Sequence, residues 1–185
     1  FMPTPHFLRR AAALFHDPKV GCVQTPQHFF NPDPIQLNLK APRAVADEQR
    51  FFFDVILPAK DAHGTAFSCG TSGLVRLRAL EEVGLFPHES VTEDMLLSIK
   101  LKAAGWETAY LNEPLTAGLA PEGMQEYLTQ RGRWCLGAMQ IMRTRWGPFS
   151  GASLPWRMRL HTLDTGLFWT AGSLGRAFSL MVPML

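Results

Sequence analysis

"SVTEDMLLSIKLKAAGW" (Ser90 to Trp106) runs directly into "ETAYLNEP" (Glu107 to Pro114), and the reading of this junction decides the fold. The first stretch reads as an amphipathic helix and the second as a short strand. The same change of period recurs upstream. "KVGCVQT" (Lys19 to Thr25) is a short apolar run, as expected of a buried strand. "TAFSCGTSGLVRLRALEEVGLF" (Thr65 to Phe86) predicts a strand, a turn punctuated by Gly70 and Gly73, a second short strand, and a helix ended by Gly84. "TPHFLRRAAALF" (Thr4 to Phe15) carries a helix start signal, with Thr4 as N-cap and Pro5 in the first helical position; Asp17 and Pro18 stop it. Three prolines make "PQHFFNPDP" (Pro26 to Pro34) an irregular loop. Residues 35 to 60 read as mainly helical, "DEQRFFFDVI" being the clearest part. Strands separated by helices predict an α/β domain with a mainly parallel sheet.

Composition narrows the class. The 185 residues suit one domain, with 46% hydrophobic and 18% charged residues. A formal net charge of +2, with no basic block interleaved with aromatics, gives no case for a nucleic-acid binder. Cys22, Cys69 and Cys135 are scattered and odd in number, so neither a disulfide framework nor a cysteine metal site is expected. No P-loop, G-x-G-x-x-G, G-x-S-x-G or H-E-x-x-H motif is present.

The chain changes character near Gly123. "MQEYLTQRGRWCLGAMQIMR" (Met124 to Arg143) is a long helix candidate. Leu128, Cys135, Met139 and Met142 form one apolar stripe, while Gln130, Arg133, Trp134 and Gly137 share another. From Thr165 to Leu185 the only charged residue is Arg176. About 20 apolar residues can span a bilayer, and Arg143, Arg145, Arg157 and Arg159 precede this run as a cytoplasmic flank would. A buried core helix is the other reading, since Asp164 and Arg176 are costly in lipid.

Two clusters could carry chemistry. Ser90-x-x-Glu93 fits a capping box, which gives Glu93 a structural role. Asp94 is not needed for the box. A carboxylate in the first turn is held ionised by the helix dipole, the state a general base requires, yet acidic first turns are also common for stability alone. In the second cluster, Arg133 can fork onto phosphate oxygens, Trp134 can pack on a sugar ring, and Gln130 can donate and accept. An interfacial helix with a snorkelling Arg and a headgroup-level Trp explains the same residues. In "FSCGT" (Phe67 to Thr71) small residues permit close backbone approach to a ligand, or form an ordinary tight turn.

"VQTPQHFFNPDP", "FSCGTSGLVRLRAL", "VTEDMLLSIKLKAAGW" and "QRGRW", in this order, resemble the processive family-two glycosyltransferases, of the bacterial cellulose synthase kind. The resemblance covers nearly the whole chain. It implies the C-terminal part of a GT-A-type catalytic domain over residues 1–122, an amphipathic interface helix with the Q-x-x-R-W motif over 123–150, and a linker with the start of a transmembrane helix over 151–185. It implies transfer of glucose from UDP-glucose to the 4-hydroxyl of a growing β-1,4-glucan, with inversion. Chitin, hyaluronan or another β-glucan are the alternative products, and a catalytically dead membrane scaffold the alternative of another class.

Carried over by motif, Asp94 is the general base. Thr92, Glu93, Gln130, Arg133, Trp134, Cys69 and Gly70 bind substrate: Arg133 at the diphosphate, Trp134 at the terminal acceptor sugar, Cys69 and Gly70 beside the acceptor end. The family usually has a second aromatic where this chain has Ser68. The resemblance further implies Mg²⁺ held by a D-x-D pair upstream of Phe1. It implies a multi-pass inner-membrane enzyme with its catalytic part facing the cytoplasm, and accessory subunits as partners. The chain then reads as an internal fragment, inactive by itself.

Overall fold

The computed structural model describes residues 1–40, 44–151 and 153–181. The chain begins with β1 (Met2–Pro3), α1 (Phe7–Ala12) continued by a 3₁₀ turn at Ala13–His16, and β2 (Val20–Gln24). Then come α2 (Pro34–Asn38), a π-helical turn at Phe52–Ile56 leading into α3 (Leu57–Ala62), β3 (Gly73–Val75) and α4 (Leu77–Glu82). The rest is α5 (Glu93–Ala103), β4 (Glu107–Tyr110), β5 (Thr116–Ala117), α6 (Met124–Arg143) and α7 (Trp156–Met181).

β2 is the centre of the molecule. All five of its residues are buried, and it pairs with β3 on one side and β4 on the other. A register shift between Val20 and Cys22 turns Val20 and Val23 toward one face of the sheet and Cys22 toward the other. Val20 and Val23 pack with Phe7 and Ala11 of α1 and with Leu115. Cys22 packs with Ala79 of α4 and with Leu97 and Leu101 of α5. The result is a layer of helix on each face of the sheet. Full burial of Leu97 and Leu101 stabilises this packing by about 1.5–3 kcal/mol each.

α5 is apolar on two sides because it is covered on two sides. Leu97 and Leu101 face the sheet; Met95, Leu96 and Ile99 face Ile141 of α6 and Met158 of α7. Lys100 and Lys102 in its last turn oppose the helix dipole, and Gly105 (φ +91°) ends it. α7 is tied to the domain through Lys60, which donates to His161 Nδ1 (2.7 Å) and reaches Asp164 (3.3 Å). The His161 ring stacks on Phe67.

Several expectations are corrected. The three-stranded sheet is mixed, not mainly parallel: β2 and β4 are parallel, but β3 runs antiparallel to β2, while β1 and β5 form a separate two-stranded antiparallel sheet. The strand expected over 65–69 does not form, because side chains replace a ladder partner. Ser68 N donates to Ser98 Oγ (2.8 Å) and Cys69 N to Gln24 Oε1 (2.7 Å). The helix expected over 35 to 60 is broken, and residues 41–43 of that span lie outside the described residues. Asp33 caps α2 through its Oδ1, while its Oδ2 accepts Glu48 N (3.0 Å) from the returning chain. Thr4 does not cap α1; His6 holds that position, and Thr4 N donates to Leu115 O (2.9 Å) beside β5.

Candidate active site

The Ser90 capping box is also absent. The N-cap of α5 is Thr92, with no side-chain cap bond. Ser90 is buried and turned elsewhere: its Oγ accepts Thr92 N (3.1 Å) and donates to Gly137 O of α6 (3.1 Å). Gln140 Oε1 accepts Val91 N (2.8 Å) from the same turn. A Cβ on Gly137 would sit inside the Thr92 side chain, so the helix approaches this turn closely enough to require glycine. These contacts dock α6 against the start of α5.

The docking face is the stripe that carries Gln130, Trp134 and Gly137, continued by Ala138 and Ile141. The stripe expected from Leu128, Cys135, Met139 and Met142 is not the buried one; Leu128 and its neighbour Leu136 are exposed. Arg133 lies on the exposed side, yet close enough for its charge to favour ionised Asp94. The structure therefore brings Thr92, Asp94, Arg133 and the Trp134 helix together.

Asp94 is the best-defined group here. Its Oδ1 accepts Met95 N (2.8 Å), so this residue satisfies an orphan helix donor, while Glu93 points into solvent. The structural role expected of Glu93 thus falls to Asp94. Oδ2 faces Gly70: an ideal Cβ on Gly70 would lie 3.0 Å from it. Gly70 has φ +79°, a left-handed conformation suited to glycine. Burial raises the Asp94 carboxyl to about 6; the Met95 hydrogen bond opposes this, Glu93 adds to it, and Arg133 again opposes it. Burial likewise drives the Cys69 thiol well above its ordinary range, with Asp94 as the second cause. Cys69 is then a neutral thiol.

Trp134 is held from behind. The Arg131 guanidinium lies 4.3 Å from the Trp134 ring centroid and 5.0 Å from that of Tyr127, and forms an ion pair with Glu48. Gln130 Oε1 is buried without a hydrogen-bond partner among the described residues. An unpaired buried carbonyl is costly alone. Sequence reasoning missed Arg131, Glu48, Gln24 and Gln27. Arg131 is a spacer position of Q-x-x-R-W, and Gln24 and Gln27 sit in "QTPQ", where repeated amides beside a proline loop were the available signal.

A divalent cation does not fit this cluster. Asp94 offers one free oxygen, the Arg133 charge is close by, and among the described residues no group of three His, Cys, Asp or Glu side chains is placed to hold a metal.

Residues 2–185 match the model of the glycosyl transferase family group 2, and the chain belongs to that family. It is 41% identical over 160 residues to a protein named putative cellulose synthase 2 of Komagataeibacter xylinus, covering 86% of this chain and 10% of that one. It is 38% identical over 184 residues to the cellulose synthase catalytic subunit (UDP-forming) of Pseudomonas fluorescens strain SBW25, covering 99% and 25%. A mannosyltransferase of Pyrobaculum calidifontis, solved in complex with GDP-Man and Mn²⁺, superposes with a TM-score of 0.55 at 16% identity, covering 99% of this chain and 51% of that one. That likeness, with the family match, makes the fold GT-A-type. The chain spans between a tenth and a quarter of these curated relatives' length.

Proposed function

We propose that this chain is the acceptor-side part of a membrane cellulose synthase, transferring glucose from UDP-glucose to the 4-hydroxyl of a growing β-1,4-glucan. The observation that carries the reading is the free Asp94 Oδ2, in a half-buried site against Gly70, with the Gln130–Trp134 helix docked beside it.

The chemistry follows from that placement. The acceptor 4-hydroxyl oxygen attacks the anomeric carbon of the donor glucose from the side opposite UDP. Asp94 Oδ2 takes the hydroxyl proton, and the C1–O bond breaks with its electron pair leaving on the diphosphate, which inverts the anomeric centre. A carboxyl raised to about 6 is ionised at neutral pH and still close enough to it to be an effective base. Arg133 offsets charge developing on the leaving diphosphate. Trp134, steadied by Arg131, packs on the terminal acceptor ring, and Gln130 Oε1 accepts from a substrate hydroxyl. In this reading Thr92 and Glu93, which precede Asp94 at the start of α5, and Cys69 and Gly70, in the turn that faces it, also contact substrate.

In our reading the donor nucleotide and Mg²⁺ are held by residues outside this chain, and the chain alone is inactive. The intact enzyme is an inner-membrane protein with this part on the cytoplasmic side. Membranes containing the intact enzyme test the reading directly. Asp94→Asn is expected to abolish polymer formation from labelled UDP-glucose while UDP still binds. Undiminished polymer yield would overturn the base assignment. Incorporation from UDP-N-acetylglucosamine in place of UDP-glucose would overturn the product.

A further inference from the structure

The "FSCGT" turn beside Asp94 is not held as a strand would be. Its backbone is held by side chains from the "QTPQ" segment, which begins at Gln24, the last residue of β2. Gln24 is fully buried. Its Oε1 accepts Cys69 N (2.7 Å), and its Nε2 donates to Thr71 O (2.7 Å) and Thr25 O (2.8 Å). Gln27 Nε2 donates to Cys69 O (3.0 Å) and to Thr71 Oγ1 (2.8 Å). Thr25 completes the set, donating to Ser72 O from both Oγ1 (2.8 Å) and its backbone N (2.9 Å). Cys69 thus has its N–H and its carbonyl satisfied by two different glutamine amides. The next residue, Gly70, is the one that faces the free oxygen of Asp94.

We propose that Gln24 and Gln27 are positioning residues that clamp the Cys69–Gly70 peptide against Asp94 and thereby set where the acceptor hydroxyl meets its base. This rests on Asp94 being that base. Neither amide touches Asp94; both act through the turn. The chemistry demands amides. Gln24 accepts from one backbone group while donating to two others, which no carboxylate, alkyl or thioether side chain can do. Ser98 and β3 fix the two ends of this turn, and the two glutamines hold the Cys69 peptide between them. Displacement by about 1 Å of a group that orients a reacting atom can cost about a hundredfold in rate. A loosened turn also admits water to Asp94, relaxing the burial that raises it.

The test uses the intact enzyme in membranes with Gln24→Met and Gln27→Met, near-isosteric changes that remove the amide. Three readouts are taken: UDP binding, the pH profile of polymer synthesis, and alkylation of Cys69 by iodoacetamide measured by peptide mass spectrometry with Cys22 as internal reference. Expected are unchanged UDP binding, a fall in kcat of about tenfold to a hundredfold, an acid limb moved to lower pH, and faster alkylation of Cys69. Gln24 lies in the core, so Gln24→Met can fail to fold, as lost UDP binding would reveal. Half-exposed Gln27 then decides alone. A Gln27→Met enzyme that binds UDP normally, with kcat within twofold, an unmoved acid limb and unchanged Cys69 reactivity, overturns the proposal. So does faster Cys69 alkylation with unaltered catalysis, which would make the clamp merely structural. Asp94→Asn is assayed alongside. Activity in that variant overturns the base reading and with it the catalytic part of this proposal, whereas a dead Asp94→Asn beside a normal Gln27→Met overturns the clamp alone.

Discussion

Asp94 shows what one residue can disclose and what it conceals. The sequence presents two adjacent acids at a helix start, and elementary capping rules assign the structural task to Glu93 through Ser90. The structure reverses this, because Ser90 is spent on Gly137 and Thr92 takes the cap position. That a carboxylate here matters was legible; which one met the helix end was not, since it depends on a contact with a helix more than forty residues away. The raised carboxyl gives two predictions. Polymer synthesis should fall as pH drops through about 6, as Asp94 takes up a proton, and a pH–rate profile of the intact enzyme measures this. The second concerns stability. Asp94 is raised in the folded state above its unfolded value near 3.8, so ionising it costs folding energy at neutral pH. That cost is relieved as pH falls through about 6 and is absent below the unfolded value. Asp94→Asn should therefore stabilise the protein at pH 8 by on the order of 1–3 kcal/mol, with the difference fading by pH 4. Thermal unfolding at the two pH values checks the sign.

At the scale of elements, β2, α5 and β4 follow the pattern read from the sequence because each carries its own apolar signature. The segment at 65–69 does not. Its residues suit a strand, but Gln24, Gln27 and Ser98 occupy the backbone groups a strand would offer, and no local periodicity reports such partners. α6 is similar: its length was legible, but Leu128 suggested the wrong face, since the face that docks uses small and polar residues to approach the Thr92 turn. Close approach of this kind makes a specific prediction. Gly137→Ala should destabilise the protein by about 1–3 kcal/mol, because the added methyl overlaps Thr92. Thr92→Gly removes the obstructing atoms and is tolerated as an N-cap. The double variant should recover much of the loss, a coupling that a double-mutant cycle in denaturant unfolding measures directly. Strict additivity would mean that α6 does not dock through this contact.

The whole molecule has two unlike ends. One is the helix–sheet–helix core around β2; the other is α7, with 26 residues. Among the described residues no helix is long and apolar enough to cross a membrane, although the sequence suggested the start of such a helix. Residues 152 and 182–185 of that segment lie outside the described residues. The basic flank is also less free than its sequence suggests, because Arg159 donates to Pro148 O (3.0 Å) and Ser150 O (2.8 Å) and so fastens the linker to the helix. What α7 does present is a divided surface. Met158 and Thr162 are buried, and Gly166 lies against Met142 of α6, while Trp156, Leu160, Leu167, Phe168 and Leu174 face outward. Apolar side chains exposed along a helix have a hydrophobic incentive to be covered, although exposed Asp164 shares the side of Leu160 and Phe168 and keeps that side partly polar. If the chain works at a membrane, as proposed above, this is the side of α7 that meets lipid. The expected outcome is that the intact enzyme stays in the membrane pellet after alkaline carbonate extraction. A chain ending at residue 185, expressed alone, should partition to membranes in proportion to this apolar face. Phe168→Glu together with Leu160→Glu should release that chain into the supernatant, because a charged side chain in lipid is unfavourable, by about 2.5–3.5 kcal/mol at the centre of a spanning helix and less toward the headgroups. Retention of the doubly charged chain in the pellet at the unaltered level would locate membrane attachment elsewhere and leave the outward face of α7 to a protein partner.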